Sequence, residues 1–239
     1  MKQLLFGLMA ILLIHSSCNL VDGKRVRGNG NKVKENRTIQ PFDYLEVSGA
    51  MEVRITQDSN ASLVVETDDN LLPFISVIQN GKRLSLDTKD GYSLKPSHKL
   101  IIYISNPTFH EFDLSGATSI KSQNQIGNGG PLKFDLSGAS ELDLDVRAEK
   151  INVEATGASQ IRLKGQAKDL HIGAMGSTKV RCFDLLTENT YIGLTGAGYA
   201  EVFASVTLKA SVSGAGDIRY KGNAQVTRDI SGAGSIKKE

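Results

Sequence analysis

Apolar and polar residues alternate in short runs along most of this 239-residue chain, with the period of two that places successive side chains on opposite faces of a strand. Tyr44-Leu45-Glu46-Val47, Ser48-Gly49-Ala50 and Met51–Ile55 read as strand, glycine turn and strand. Ala61–Thr67 predicts another strand, and Asp69–Phe74, which contains Pro73, a turn or a single helical turn. Ile75–Ile78 and Arg83–Asp87 flank Asn80-Gly81, a hairpin signal. Lys99–Ser105 adds a strand closed by Asn106-Pro107. Residues 39–107 therefore read as an irregular, all-β section.

From residue 108 to 239 one phrase recurs: DLSGATSI from Asp113, DLSGASEL from Asp135, EATGASQI from Glu154, AMGSTKV from Ala174, LTGAGYA from Leu194, VSGAGDI from Val212 and ISGAGSI from Ile230. Its glycines, Gly116, Gly138, Gly157, Gly176, Gly196, Gly214 and Gly232, are separated by 22, 19, 19, 20, 18 and 18 residues, about one solenoid coil each. The spacing excludes nonapeptide calcium repeats, and the period-2 alternation excludes helical repeats. Two residues before each glycine stand Leu114, Leu136, Ala155, Ala174, Leu194, Val212 and Ile230. Four after stand Ile120, Leu142, Ile161, Val180, Ala200, Ile218 and Ile236, and six after stand Leu144, Leu163, Cys182, Val202 and Tyr220. One coil cannot bury such a face, but a stack of coils can.

The glycine reads as a corner where φ turns positive and a Cβ would crowd the bend. Ser115, Ser137, Thr156, Thr195, Ser213 and Ser231 precede it, predicting a hydroxyl ladder, and alanine usually follows. Met175 and Ser177 interrupt both columns, which predicts a distorted fourth coil.

The N-terminus reads as an address. Lys2 and the apolar run Leu4–Ile14 make residues 1–17 a secretory signal peptide, too short to be a comfortable permanent span. Ser16-Ser17-Cys18 resembles a bacterial lipobox, with His15 departing from the usual apolar residue, so Cys18 is the expected lipidation site and the lipid bilayer the expected partner through it. Residues 18–38, polar, basic and centred on Gly28-Asn29-Gly30, predict a flexible tether.

Composition changes the picture mainly by exclusion. Lys plus Arg number 28 against 26 Asp plus Glu, a net charge of +2 that gives no general case for nucleic-acid binding. Two cysteines make no disulfide framework, and Cys182 falls in an inward column as a small hydrophobe. His98, His110 and His171 show no metal-ligand spacing, and no cofactor motif is present.

Taken together, the signal and Cys18, the SGAMEV stretch at Ser48–Val53, the DDNLLPFI stretch at Asp68–Ile75 and the ordered SGAG corners resemble the head GIN-domain family. These are secreted bacterial proteins named as auto-transporter adhesin heads, and the likeness runs from about Gln40 to the C-terminus. The resemblance implies a right-handed parallel β-helix of pectate-lyase-like type and brings no established catalytic residues.

Candidate chemistry lies on the outward columns. Asp113, Asp135 and Glu154 should stack on adjacent coils, where a cation could bridge them. Asp143 and Asp145 fall near Arg162 and Arg181 by register, and Phe183 and Phe203 share a column that could stack on a sugar ring. The expected function is that of a non-catalytic outer-membrane lipoprotein, periplasmic or surface-exposed. It would be an adhesin or binding module whose flat faces suit polysaccharide or a surface protein. The alternative is a carbohydrate-active enzyme of lyase or hydrolase type on the same scaffold, with Asp143, Asp145 and Arg162 as its best imitation of a catalytic cluster. A third reading is a self-associating structural solenoid.

Overall fold

The computed structural model describes residues 23–127 and 129–239. The signal segment and Cys18 lie outside the described residues. The chain is all-β, and its body is a solenoid of parallel-paired strands turning at glycine corners. Each coil has a run leading into its glycine and a run trailing from it. The leading runs, such as Leu132–Gly138, pair in register with the next coil, Gly138 on Gly157. The trailing runs do the same, Leu142 on Ile161 on Val180 on Ala200.

The corners show why glycine is required. All seven repeat glycines have positive φ, from +81° at Gly138 to +120° at Gly232. A Cβ on Gly138 would lie 2.6 Å from the Gly116 carbonyl oxygen, which already accepts the Ala139 N–H at 2.8 Å. Conformation and contact therefore act together at this position. The column begins earlier than the repeats do, because Gly49 (φ +95°) lies under Gly116 and accepts the Ala117 N–H at 2.8 Å. The Ser48-Gly49-Ala50 turn is thus a full rung of the solenoid, with Tyr44–Val47 and Glu52–Gln57 pairing against Glu111–Leu114 and Ser119–Ser122.

The fourth coil is undistorted, contrary to the expectation from Met175 and Ser177. Gly157, Gly176 and Gly196 stay in register and the Ser177 N–H reaches the Gly157 carbonyl at 2.8 Å. Met175 points out, 54% exposed, so its bulk never meets the bend. The expected hydroxyl ladder does not form a continuous run. In the column before the glycine only Ser115 bonds the neighbouring coil's hydroxyl, donating to Ser48 Oγ at 2.9 Å. Two positions after it, Thr118, Ser140, Ser159 and Thr178 are buried, and Thr118 donates to Ser140 at 3.2 Å.

All three apolar columns face the core as read, apart from Ile230, 45% exposed on the last coil. Cys182 is fully buried, which pushes its thiol up to about 12. At the N-terminal end an aromatic stack, Phe42–Phe109–Phe112–Phe134, fills the core, its centroids 5.0–5.8 Å apart.

The N-terminal section caps the stack and reverses chain order. Arg83–Thr88 and Ile101–Asn106 form the rung beneath Tyr44–Gln57, although they follow it in sequence. Antiparallel strands then close that end, Ile75–Asn80 on Arg83–Thr88 through the expected hairpin, and Ser62–Asp68 on Ile101–Asn106. Asp69–Phe74 makes the single 3-10 turn.

The described part of the segment read as a tether, residues 23–38, is folded into this cap. Lys24–Arg27 pairs with Tyr92–Lys95, and Lys32–Arg37 runs antiparallel to Ser62–Asp68. The basic residues of the second of these strands, Lys32–Arg37, find partners. Lys32 and Lys34 both bridge the buried Glu66, and Arg37 donates to the Leu72 and Ile75 carbonyls at 2.9 and 2.6 Å. Among the described residues no helix is long and apolar enough to cross a membrane.

Candidate functional site

The acidic column is stacked as its spacing demands. Glu46, Asp113, Asp135 and Glu154 are successive partners across four parallel strands. The three carboxylates expected to share a cation, Asp113, Asp135 and Glu154, do not act alike: Asp113 and Asp135 take separate partners, and Glu154 has no ion-pair partner among the described residues. The Tyr44 hydroxyl donates to Asp113 at 3.1 Å, and Lys133 bridges Asp135 and Glu111 at 2.7 Å each. Asp135 and Glu111 hold the Lys133 ammonium charged far above its usual range. No three His, Cys, Asp or Glu side chains converge as a metal site among the described residues.

Beyond Glu154 the same column changes character and opens a trough. It continues through Gly173, Gly193 and Ser211 to Asp229, one residue per coil. Four strand spacings make this roughly 19 Å along the solenoid axis. The trough encloses about 390 Å³, with Gly173 and Gly193 as its floor. One wall is the column His171, Tyr191, Lys209 and Thr227. The His171 and Tyr191 rings stack on each other, centroids 4.5 Å apart, and Lys209 Nζ sits 5.5 Å above Tyr191. Both faces of Tyr191 and one face of His171 are thus taken, and the wall offers their ring edges with their polar atoms. Burial, helped by the Lys150 charge, holds the His171 imidazole below its ordinary value, so it is neutral at pH 7. Glu154 and Asp229 close the two ends without ion-pair partners among the described residues.

The floor glycines differ from the corner glycines in conformation and in contact. Neither has a positive φ. A Cβ on Gly193 meets nothing nearer than Ser211 Oγ at 3.2 Å, and one on Gly173 meets only the flexible end of Glu154. Mid-strand glycine costs about 0.5–1 kcal/mol relative to a residue with a side chain. The fold does not require that cost here, and an open trough is what it yields. The sequence carries the signal, since Gly173 and Gly193 stand in a column otherwise polar or charged. Of the trough residues, sequence reasoning singled out Glu154 alone as a candidate.

The trailing-face candidates are brought partly together. Asp143, Arg162 and Arg181 are successive register partners; Arg162 bonds Asp143 at 3.1 Å, whereas Arg181 lies against Glu201 without an ion pair. Asp145 is held by Lys164 at 3.6 Å and by Gln125 at 3.0 Å. Asp143 and Asp145 line a cavity of about 240 Å³ with Lys121 and Lys164. Phe183 and Phe203 do not form a platform. Lys221 Nζ covers Phe183 at 4.3 Å, and Phe203 instead lines a separate cavity of about 510 Å³ beside Leu186 and Thr187.

Comparison with known proteins places this architecture. Among solved structures, a "putative adhesin" from Bacteroides fragilis superposes with a TM-score of 0.81 at 21% identity, over 90% of this chain and 100% of that one. A "putative lipid binding protein" from Parabacteroides distasonis gives 0.73 at 23% over 90% and 100%. A "putative adhesin" from Parabacteroides merdae gives 0.73 at 20% over 91% and 100%. At these identities the likeness establishes the fold. No curated protein matches the chain. A family model matches residues 41–224, most of the length and every coil through Gly214, and on that match the chain belongs to the family described as "Putative auto-transporter adhesin, head GIN domain".

Proposed function

We propose that this protein is a non-catalytic binding module of the cell envelope, anchored through an acylated Cys18, and that its leading-face trough holds an extended polysaccharide. The observation that carries the reading is the trough floor, open at Gly193 where the fold does not demand glycine and covered at Gly173 only by the flexible Glu154 carboxylate. A ligand along the trough crosses the strands, and their backbone groups are already paired between coils, so recognition falls to side chains. Those side chains are carboxylates, an ammonium, hydroxyls and ring nitrogens, a set that suits a polyhydroxylated chain better than an acyl chain. Envelope adhesion agrees with the family's description. The catalytic alternative lacks a comparable observation, since Asp143 and Asp145 are each tied to a cation.

The test is a glycan array probed with the purified protein, followed by incubation on the bound polysaccharides with and without calcium. Retention without product release supports the reading. Product release abolished by Asp143→Ala would replace it with the enzymatic one.

A further inference from the structure

The ribbon formed by Lys24–Arg27 and Tyr92–Lys95 is a two-stranded sheet of its own beside the cap. Its inner face is apolar: Val26 lies opposite Leu94, Leu94 packs on the core, and the Tyr92 ring packs tilted against Phe74, centroids 4.5 Å apart. Its outer face carries Arg25, Arg27 and Lys95, all exposed, with Lys24 and Lys89 at the rim.

Two features of this face are unfavourable to the isolated fold. Arg27 and Lys95 are direct register partners, and like charges opposite each other destabilise a strand pair. In addition, the other cap cations, Lys32, Lys34, Arg37, Lys82, Arg83 and Lys99, all form ion pairs, whereas the five ribbon cations form none among the described residues. Within residues 24–27 and 89–95 only Asp90 opposes those five, giving these segments a charge of +4 when the whole chain carries +2. The remainder is therefore net acidic, and the positive charge is concentrated at one end.

We infer that this ribbon docks on an anionic lipid surface and holds the cap against the membrane. Lys24 follows Cys18 by six residues, so even a fully extended chain keeps the ribbon within roughly 20 Å of an acylated Cys18. An acyl anchor limits distance but leaves orientation free. A basic patch beside it adds a second, electrostatic attachment to anionic headgroups. Docked by its cap, the solenoid projects its coils, and the trough on them, away from the bilayer.

The test measures partition onto vesicles of phosphatidylcholine alone or mixed with phosphatidylglycerol, using the chain as purified from its cells and its Cys18→Ser variant. The Cys18→Ser chain should bind anionic vesicles in low salt and ignore neutral ones. Arg25→Gln with Arg27→Gln and Lys95→Gln should lower that partition about a hundredfold, at roughly fivefold per charge removed. Lys179→Gln with Lys237→Gln and Lys238→Gln, an equal charge change elsewhere, should leave it within about twofold. If the triple ribbon variant melts abnormally, Arg27→Gln alone should give the single fivefold step. Equal binding to both vesicle types, no binding to either, an equal loss in the control variant, or binding to acidic polysaccharide in place of vesicles would each overturn the inference. None of these readings depends on acylation or on the trough.

Discussion

Gly138 stacks on Gly116 so closely that the Gly116 carbonyl oxygen lies 2.6 Å from where a Gly138 Cβ would stand. The same oxygen accepts the Ala139 N–H, so it cannot withdraw without breaking the ladder between coils. Gly138→Ala should therefore cost more than about 2 kcal/mol, combining positive-φ strain with a backbone clash. Urea denaturation would show it. A loss below about 0.5 kcal/mol would contradict the account of the corners.

The buried hydroxyl column makes an opposite forecast. Ser159 Oγ and Thr178 Oγ1 have no hydrogen-bond partner, whereas Thr118 and Ser140 are bonded. A buried hydroxyl without a partner carries a desolvation penalty that Ser159→Ala removes. The variant should match or exceed the parent in stability, while Ser140→Ala should lose about 1 kcal/mol, both measurable by thermal melting.

Acid should loosen the cap before the coils. Burial alone would raise Asp68, but the Ser97 and Gly30 backbone N–H groups, each donating at 2.8 Å, outweigh it and hold its pKa low. Contact with Lys32 lowers Glu66 against the opposing effect of burial, and Arg54 and Lys99 outweigh burial at Glu52. A depressed folded pKa contributes stability that is complete above the unfolded value, near 4, and is lost as pH falls through the folded value. Hydrogen exchange below pH 4 should accelerate first in Lys32–Arg37 and Ser62–Asp68. Uniform acceleration across all coils would argue against this.

Cys182 provides a reporter of coil opening. With its thiol pushed up to about 12 by complete burial, it should resist iodoacetamide at pH 8 in the native protein and react once urea unfolds the chain. Prompt native labelling would place it outside the core.

The repeat columns were legible because a solenoid converts linear spacing directly into stacking, so Leu142, Ile161 and Val180 could be placed on one another from the sequence alone. The cap was less legible because its partners are far apart in the chain. Lys32 and Lys34 look solvated until Glu66 is brought to them, and Arg83–Thr88 slips beneath a strand that precedes it. The acidic column was placed correctly but interpreted by like charge, while its fate was set by Tyr44 and Lys133 on neighbouring positions. The trough went unread because its informative residues are glycines, and glycine was assigned to turns. Backbone φ and the atoms a Cβ would meet separate Gly193 from Gly196, and neither can be read from the sequence.

That distinction supplies the most direct test of the proposed function. Gly193→Thr places a strand-favouring side chain on the trough floor without altering the corners. Retention of Gly193→Thr and parent protein should be compared on the polysaccharides that the parent binds, with a melting curve for each. The account predicts an unchanged or higher melting temperature together with lost retention. A stable Gly193→Thr protein that binds as the parent does would show that the trough is not the binding site.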